Sequence, residues 1–263
     1  MRDSRPAPAA PSSAAEPPAP VDLSIVIPAY NEERRIVPTL RSIGGFLNSP
    51  GWTSEVLVVD DGSTDGTARC VESLLGEIRG LRLLRNGLNR GKGYSIRHGF
   101  RESRGRRVLL TDADLSTPVE EVRKLLPLLE RQGYGGAIGS RAVDRSTVKV
   151  PQGWPRRTMG KTFNHLVRLF TGLPFRDTQC GFKLLDRATF EPVFRVARVD
   201  RFSYDVEILM LARCRGIRVA EVPVLWRNSP HSKVGFLKDS AQMLWDVIRM
   251  SLRAKSGGYR ESP

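Results

Sequence analysis

Asp112 and Asp114, two carboxylates one residue apart, close the apolar run that starts at Val108. Acids so close repel one another and invite a cation or a hydrogen-bonded ligand between them. Ser116 and Pro118 follow, so Asp114 and Ser116 could equally cap a helix with Pro118 at its first position. Two further clusters bear on the choice. Pro28, Tyr30, Asn31 and Glu32 close one apolar run, and Asp60, Asp61, Gly62, Ser63 and Asp65 close another. If the three runs are parallel strands, their carboxyl ends lie on one edge and the acids converge there. Hard oxygen ligands of that kind suit Mg²⁺ or Mn²⁺ rather than zinc, and one or two carboxylates suffice where a diphosphate supplies the rest. Taken separately, Asp60-Asp61-Gly-Ser is also ordinary turn and cap chemistry. Glycines 87, 91 and 93 lack the G-x-G-x-x-G spacing. They suit close backbone approach to a ligand, with Lys92 offering a charge to phosphate.

The elements that must position these groups follow from periodicity. Strands are expected at 23–28, 55–60, 81–85, around Val108 and at 135–139. Helices are expected from Asn31 to about Leu47, from the 61–66 turn to about Arg79, from the 89–93 segment onward, and over 118–132. This alternation predicts an α/β fold, a mostly parallel, doubly wound sheet flanked by helices. Beyond Ser140 the pattern changes. Residues 141–157, basic and carrying Pro151 and Pro155, read as a long mobile loop, and 158–170 as a helix. Asp177 to Lys183 leads into a short strand. A helix over 204–213 starts with Asp205 and Glu207, either pocket groups or plain helix-start acids. A strand at 218–224 and a helix from Phe236 to Leu252 complete the chain. The last helix carries a stripe of Leu237, Met243, Leu244, Val247, Ile248 and Ser251 that could pack on the domain or lie on anionic lipid.

The 263 residues suffice for one large α/β domain, and 40% hydrophobic with 27% charged residues describes a globular chain. No run approaches the roughly 18 apolar residues of a membrane span. Residues 1–20, rich in Pro and Ala, read as a disordered tail, 21–255 as the domain and 256–263 as a second tail. The domain divides into 21–140, 141–235 and the 236–255 helix. Three scattered cysteines and three scattered histidines suggest neither disulfides nor zinc, which fits a reducing, cytoplasmic setting. A net charge of +14 favours nucleic acid, anionic lipid or phosphorylated partners. A basic lipid- or nucleic-acid-binding module is the non-enzymatic alternative. Lys and Arg spread along the whole chain, without an aromatic-interleaved basic motif, argue against nucleic acid.

Ile25-Val-Ile-Pro-Ala-Tyr-Asn-Glu32, Val58-Val-Asp-Asp-Gly-Ser-Thr-Asp65, Asn89-Arg-Gly-Lys-Gly93 and Thr111-Asp-Ala-Asp-Leu-Ser116 resemble inverting family 2 glycosyltransferases of the GT-A fold. Within that family, Asp114-Leu-Ser-Thr-Pro118, Gly139-Ser-Arg141, Asp177-Thr-Gln-Cys-Gly-Phe-Lys183 and Tyr204-Asp-Val-Glu207 look most like dolichyl-phosphate β-glucosyltransferases. The resemblance implies a single GT-A (Rossmann-like) domain that transfers glucose from UDP-glucose to dolichyl or polyprenyl phosphate with Mg²⁺ or Mn²⁺. It places Pro28, Tyr30, Asn31, Glu32, Asp60, Asp61, Gly62, Ser63, Lys92, Asp112 and Gln179 on the nucleotide sugar. It places Asp114 on the metal, with Ser116 as a second contributor where mannosyl relatives carry Gln. Arg141 is expected to meet the acceptor phosphate, helped by Arg156, Arg157, Ser232 and Lys233. Pro230 and His231 depart from the Gly-x-Ser-Lys of many relatives. A GDP-mannose donor or a small soluble phosphate acceptor are the rival chemistries. Peripheral docking on the cytoplasmic face of a membrane follows from the lipid acceptor, because no anchor of the kind seen in eukaryotic relatives is read in this sequence.

Overall fold

The computed structural model describes residues 21–48, 52–144, 148–150, 154–227 and 238–259, without the side chains of 149, 150, 154–159, 161 and 238–241. Strands β1 (Val21–Ala29), β2 (Ser54–Asp60), β3 (Leu81–Arg85) and β4 (Gly105–Leu110) alternate with helices α1 (Glu33–Leu47), α2 (Thr67–Glu72) and α3 (Lys92–Glu102). Then come α4 (Val122–Arg131), β5 (Gly136–Ser140), β6 (Val148–Val150), α5 (Trp154–Thr171) and β7 (Lys183–Asp186). The described chain closes with α6 (Arg187–Val196), α7 (Tyr204–Cys214), β8 (Val219–Pro223), β9 (Trp226–Arg227) and α8 (Lys238–Lys255).

Seven strands form one sheet in the order β3-β2-β1-β4-β7-β5-β8, and β6 pairs with β9 beside it. Every neighbour in the large sheet is parallel except β7, which runs against both β4 and β5. Ile25–Ile27, Val56–Val59 and Val108–Leu110 are fully buried because helices cover both faces, which is why these strands read as unbroken apolar runs. On one face α1 sets Ile36, Leu40 and Ile43 into the core with Val122 and Leu125 of α4. On the other, Phe100 of α3 stacks on Phe194 of α6 at 3.8 Å.

Register brings the loops of interest together. Ala29 pairs with Asp60, Asp60 with Arg85, and Thr111 N–H donates to Val26, so β1, β2 and β4 end on one rim. Ser140 pairs with Pro223, which places Arg141 and the 224–226 segment on the same rim. Because β7 is antiparallel, the segment that precedes it, 177–182, arrives there too.

Several expectations are corrected. The helix expected to reach Arg79 stops at Glu72 and continues as turns to Gly80, whose φ of +75° closes the segment. The supposed loop 141–157 holds β6 and the first residues of α5. The 118–132 helix opens as a 3₁₀ turn over Val119–Glu121 with no side-chain cap, so Asp114 and Ser116 do not cap it. The chain does not leave the domain at Lys255. Tyr259 is buried and its hydroxyl donates to Glu207 at 2.8 Å. On α8, Met243, Val247, Met250 and Ser251 are buried, so that stripe packs on the domain and is not available to lipid. Residues 1–20 and Leu237 lie outside the described part.

Candidate active site

The first two rim loops are stitched to each other. Ser63 Oγ accepts from Asn31 N–H at 2.9 Å, Asn31 Oδ1 from Thr64 N–H at 2.8 Å, and Thr67 Oγ1 from Glu32 N–H at 2.7 Å. Asn31 adopts φ +53°, a left-handed turn that asparagine tolerates better than most residues. Tyr30, 36% exposed, follows Ala29, which pairs with the buried Asp60, and Asp60 accepts a long bond from Ser63 N–H at 3.3 Å.

Two acids have structural partners. Asp61 accepts from Asn86 Nδ2 at 2.7 Å, Arg90 N–H at 3.0 Å and Gly91 N–H at 2.8 Å. The carboxylate that the resemblance sets on the nucleotide therefore holds the third loop in place. Gly62, at φ +72°, lies against the backbone of Leu88 and Asn89, where a Cβ would collide. Glu32 receives Arg35 through Nε at 2.7 Å and Nη2 at 2.8 Å, and Arg35 reaches on to Asp114 at 3.9 Å. Glycines 91 and 93 approach the backbone of 199–201, not an open space. The expectation that they make room for a ligand is corrected: they let α3 and the segment before α7 meet.

Asp112 and Asp114 remain directed to the rim. Asp112 pairs with Lys92 at 2.5 Å. Burial opposes its charge, yet Lys92, then Lys183 and Arg141, outweigh burial and hold its carboxyl below the ordinary range. Burial likewise opposes the Lys92 ammonium, and Asp112, Asp205 and Asp114 raise its pKa despite that. These influences show Asp112, Asp114, Lys92, Lys183 and Arg141 to be electrostatic neighbours. Gly181 lies so close to Asp112 that a Cβ there would strike the carboxylate. Asp114 Oδ1 accepts from Ser116 N–H at 3.0 Å, and its Oδ2 accepts no hydrogen bond among the described residues. Leu115, between Asp114 and Ser116, takes φ +44°, an uncommon conformation for a branched side chain.

Across the rim, Arg141 is fixed. Its Nε and Nη2 donate to Asp177 at 2.7 and 2.8 Å, its backbone N–H donates to the same carboxylate at 3.0 Å, and its guanidinium lies 5.5 Å from the Trp226 ring. Against burial, Asp177 drives the arginine pKa up and Arg141 drives that of Asp177 down, so both are charged at any working pH. Behind them Glu221 of β8 accepts from Arg176 N–H at 2.9 Å, Asp177 N–H at 2.8 Å and Ser140 Oγ at 2.7 Å. Beneath the rim the fully buried Lys183 pairs with Asp205 and donates to the Cys180 carbonyl at 2.5 Å, which anchors the 177–182 segment. Asp205 is thus an electrostatic neighbour of the rim groups Lys92 and Asp112. Glu207 is not: it accepts from Arg198 and Val199 N–H and from Tyr259.

The structure gathers Pro28, Tyr30, Asn31, Glu32, Asp60, Asp61, Gly62, Ser63, Lys92, Asp112, Asp114, Ser116, Arg141 and the half-buried Gln179 on one rim or its immediate support. Arg156 and Arg157 fall on α5 with their side chains outside the described part, and Ser232 and Lys233 lie outside the described residues. Sequence reasoning missed the roles of Arg35, Asp177, Lys183 and Glu221. For Glu221 a signal existed: it is a charged residue at the centre of an otherwise apolar strand.

The family model for glycosyl transferase family 2 matches residues 24–194, which span the strands and loops of the rim up to α6. The chain belongs to glycosyl transferase family 2. Relatives share most of its length. The dolichyl-phosphate beta-glucosyltransferase of Dictyostelium discoideum is 34% identical over 250 residues, 90% of this chain and 76% of that protein. Those of Drosophila melanogaster and Homo sapiens are 36% and 34% identical, over 91% and 90% of this chain and 77% of each relative. Among solved structures, mannosyl-3-phosphoglycerate synthase from Rubrobacter xylanophilus aligns with TM-score 0.68 at 21% identity, covering 92% of this chain and 76% of that one. Glucosyl-3-phosphoglycerate synthase from Mycobacterium tuberculosis, in complex with Mn²⁺, UDP and glucosyl-3-phosphoglycerate, aligns with TM-score 0.63 at 21% identity, over 91% and 81%. This family 2 glycosyltransferase therefore has the GT-A fold, with its acids and its fixed arginine on one edge of the sheet.

Proposed function

We propose that the enzyme transfers glucose from UDP-glucose to dolichyl or polyprenyl phosphate and inverts the anomeric centre. The observation that carries this is the division of the rim: two partly exposed acids, Asp112 and Asp114, on one flank, and a guanidinium fixed by a buried carboxylate on the other. A nucleotide sugar fits the first flank, with Tyr30 and Asp60 beside the base and ribose, and Gln179 lining the sugar pocket. Asp114, with Ser116 and Asp112 near it, fits a divalent cation. No group of three metal-ligating side chains occurs among the described residues. Asp114, a partly exposed carboxylate, would hold a Mg²⁺ or Mn²⁺ ion, for which one or two protein carboxylates suffice where a diphosphate is also bound. When bound, that ion supplies positive charge to the leaving diphosphate.

The chain's own groups account for the rest. Arg141 orients the acceptor phosphate, which with a second pKa near ~6 is an anion at neutral pH and needs no general base. One of its oxygens attacks the anomeric carbon, the bond to the diphosphate oxygen breaks, and an α-linked donor yields a β-linked sugar phosphate. Lys92, held by Asp112 through one contact, can move its charge to the departing phosphates. Support for the acceptor comes from the three relatives above, each named dolichyl-phosphate beta-glucosyltransferase. A second reading, a small soluble phosphate acceptor, is favoured by the structural neighbours, named for phosphoglycerate glycosides. No helix among the described residues is long and apolar enough to cross a membrane.

Labelled UDP-glucose and GDP-mannose, offered with polyprenyl phosphate and with 3-phosphoglycerate, test the proposal. Label should pass from UDP-glucose into an organic-extractable product, and EDTA should stop it. A preference for GDP-mannose, or product confined to the aqueous phase, overturns the proposal.

A further inference from the structure

The face of α8 turned away from the core is unusual for a solvated helix. Gln242, Trp245, Arg249 and Leu252, spaced by three, four and three residues, form one outward stripe. Trp245 is 56% exposed and Leu252 61%. Helix α5 packs against α8, and near its own end it carries Leu169, 70% exposed, and the exposed Phe170. The two helices carry eight basic residues against two acidic ones, Asp239 and Asp246.

A groove of about 520 Å³ runs along the same helix, lined by Arg198, Arg201, Arg249, Arg253 and Leu252. Of its two acids, Asp200 pairs with Arg97 outside the groove, and Asp246 accepts from Gln242, also in the lining, at 2.9 Å. No described carboxylate forms an ion pair with any of the four groove arginines. The start of α8 also lies close to the rim. Ser203 Oγ donates to the Met243 carbonyl at 3.3 Å, and the next residue, Tyr204, sets its ring 5.8 Å from Lys92 Nζ.

We infer that this outward face is a docking surface for an anionic phospholipid bilayer. Trp245 and Leu252 enter the boundary between headgroups and acyl chains, and the arginine groove takes lipid phosphate. The chemistry favours a bilayer over a protein partner. Isolated apolar side chains between guanidinium groups suit a continuous surface that is negative above and apolar below, and tryptophan is enriched at that depth. A protein partner would need a contiguous apolar patch or a shaped acidic counterpart. The inference rests on the lipid-acceptor reading, because docking here brings the rim to where an acceptor phosphate stands.

The test is flotation of the full-length chain with phosphatidylcholine vesicles and with vesicles containing about 30% phosphatidylglycerol. Wild-type protein should float with the anionic vesicles only. Trp245→Ser/Leu252→Ser and, separately, Arg249→Gln/Arg253→Gln should each weaken flotation about tenfold or more, with unchanged circular dichroism and unchanged transfer to a detergent-dispersed acceptor. Tryptophan emission should shift to the blue on vesicle addition in the wild type and not in the Trp245 variant. Wild-type flotation that survives both pairs of substitutions overturns the inference. So does a wild type that fails to float while it glucosylates the dispersed lipid acceptor. Loss of that transfer in the wild type would instead overturn the lipid-acceptor reading.

Discussion

The two flanks of the rim hold their cations in different ways. On the donor flank Lys92 meets Asp112 through one contact, and the Asp112 side chain is 38% exposed. On the acceptor flank Arg141 meets the buried Asp177 through two parallel hydrogen bonds, with a third from its own backbone, and Glu221 braces the segment from behind. A bidentate guanidinium–carboxylate pair fixes direction as well as charge, whereas an ammonium is a point charge on a flexible stem. The difference matches the work proposed for each flank. An incoming phosphate must be oriented for in-line attack, so its partner is best fixed beforehand. A departing diphosphate must be stabilised and then released, so its partner is best exchangeable.

The comparison can be broken by substitution. Asp114→Ala should have the largest effect, a loss of turnover of about 10³-fold or more with the melting temperature nearly unchanged, because it removes a partly exposed carboxylate held by one local hydrogen bond and a long contact to Arg35. Retained turnover would remove Asp114 from the metal. Arg141→Ala should come next, with acceptor KM raised or kcat lowered by about 10²-fold and donor Kd unchanged by calorimetry. Equal loss on both substrates would refute the division into flanks.

Asp177→Asn should cost less activity, about tenfold, and roughly 2 kcal/mol of stability, since one partner of a part-exposed pair is left uncompensated. It should also loosen the segment around Cys180. Burial first, then Asp177, pushes that thiol up to about 11, so at pH 8 it should resist alkylation while the exposed Cys214 reacts. Mass spectrometry of alkylated protein should find Cys180 labelled faster in the variant. The pH dependence has a definite sign. A carboxyl whose folded pKa is depressed stabilises above its unfolded value, about 4, and that contribution disappears as pH falls through the folded value. Urea midpoints should therefore drop more steeply between pH 5 and pH 2 in the wild type than in Asp177→Asn. The smallest effect, a few-fold rise in acceptor KM, should come from Glu221→Gln, which keeps an acceptor oxygen but loses the charge.

The donor half was the more legible part of the chain. Its central strands are apolar runs buried on both faces, and each of β1 to β4 is followed within two residues by Asp or Asn, so period and punctuation agree about where the rim lies. Asp112 and Asp114 could be read together from spacing alone. Which acids face a ligand could not. Asp60 and Asp61 are adjacent and alike in sequence, yet Asp61 braces Asn86 and Gly91, a choice fixed by how a loop 25 residues away folds back. The acceptor half was harder because β7 runs backwards and α6 follows it without a break, at Asp186, whose carboxylate caps Thr189 N–H at 2.9 Å. The amphipathic pattern of α8 was visible, but its inward face obscured the significance of Trp245 and Leu252 on the other.

The central claim, that acids from separate strands meet at one rim to hold a nucleotide sugar with a divalent ion, has a direct measurement. UDP-glucose is titrated calorimetrically into wild-type protein and Asp114→Asn, each with Mn²⁺ and with EDTA. The account predicts binding to the wild type that is at least tenfold tighter with Mn²⁺, and no metal effect in the variant. Equal binding under all four conditions would contradict it.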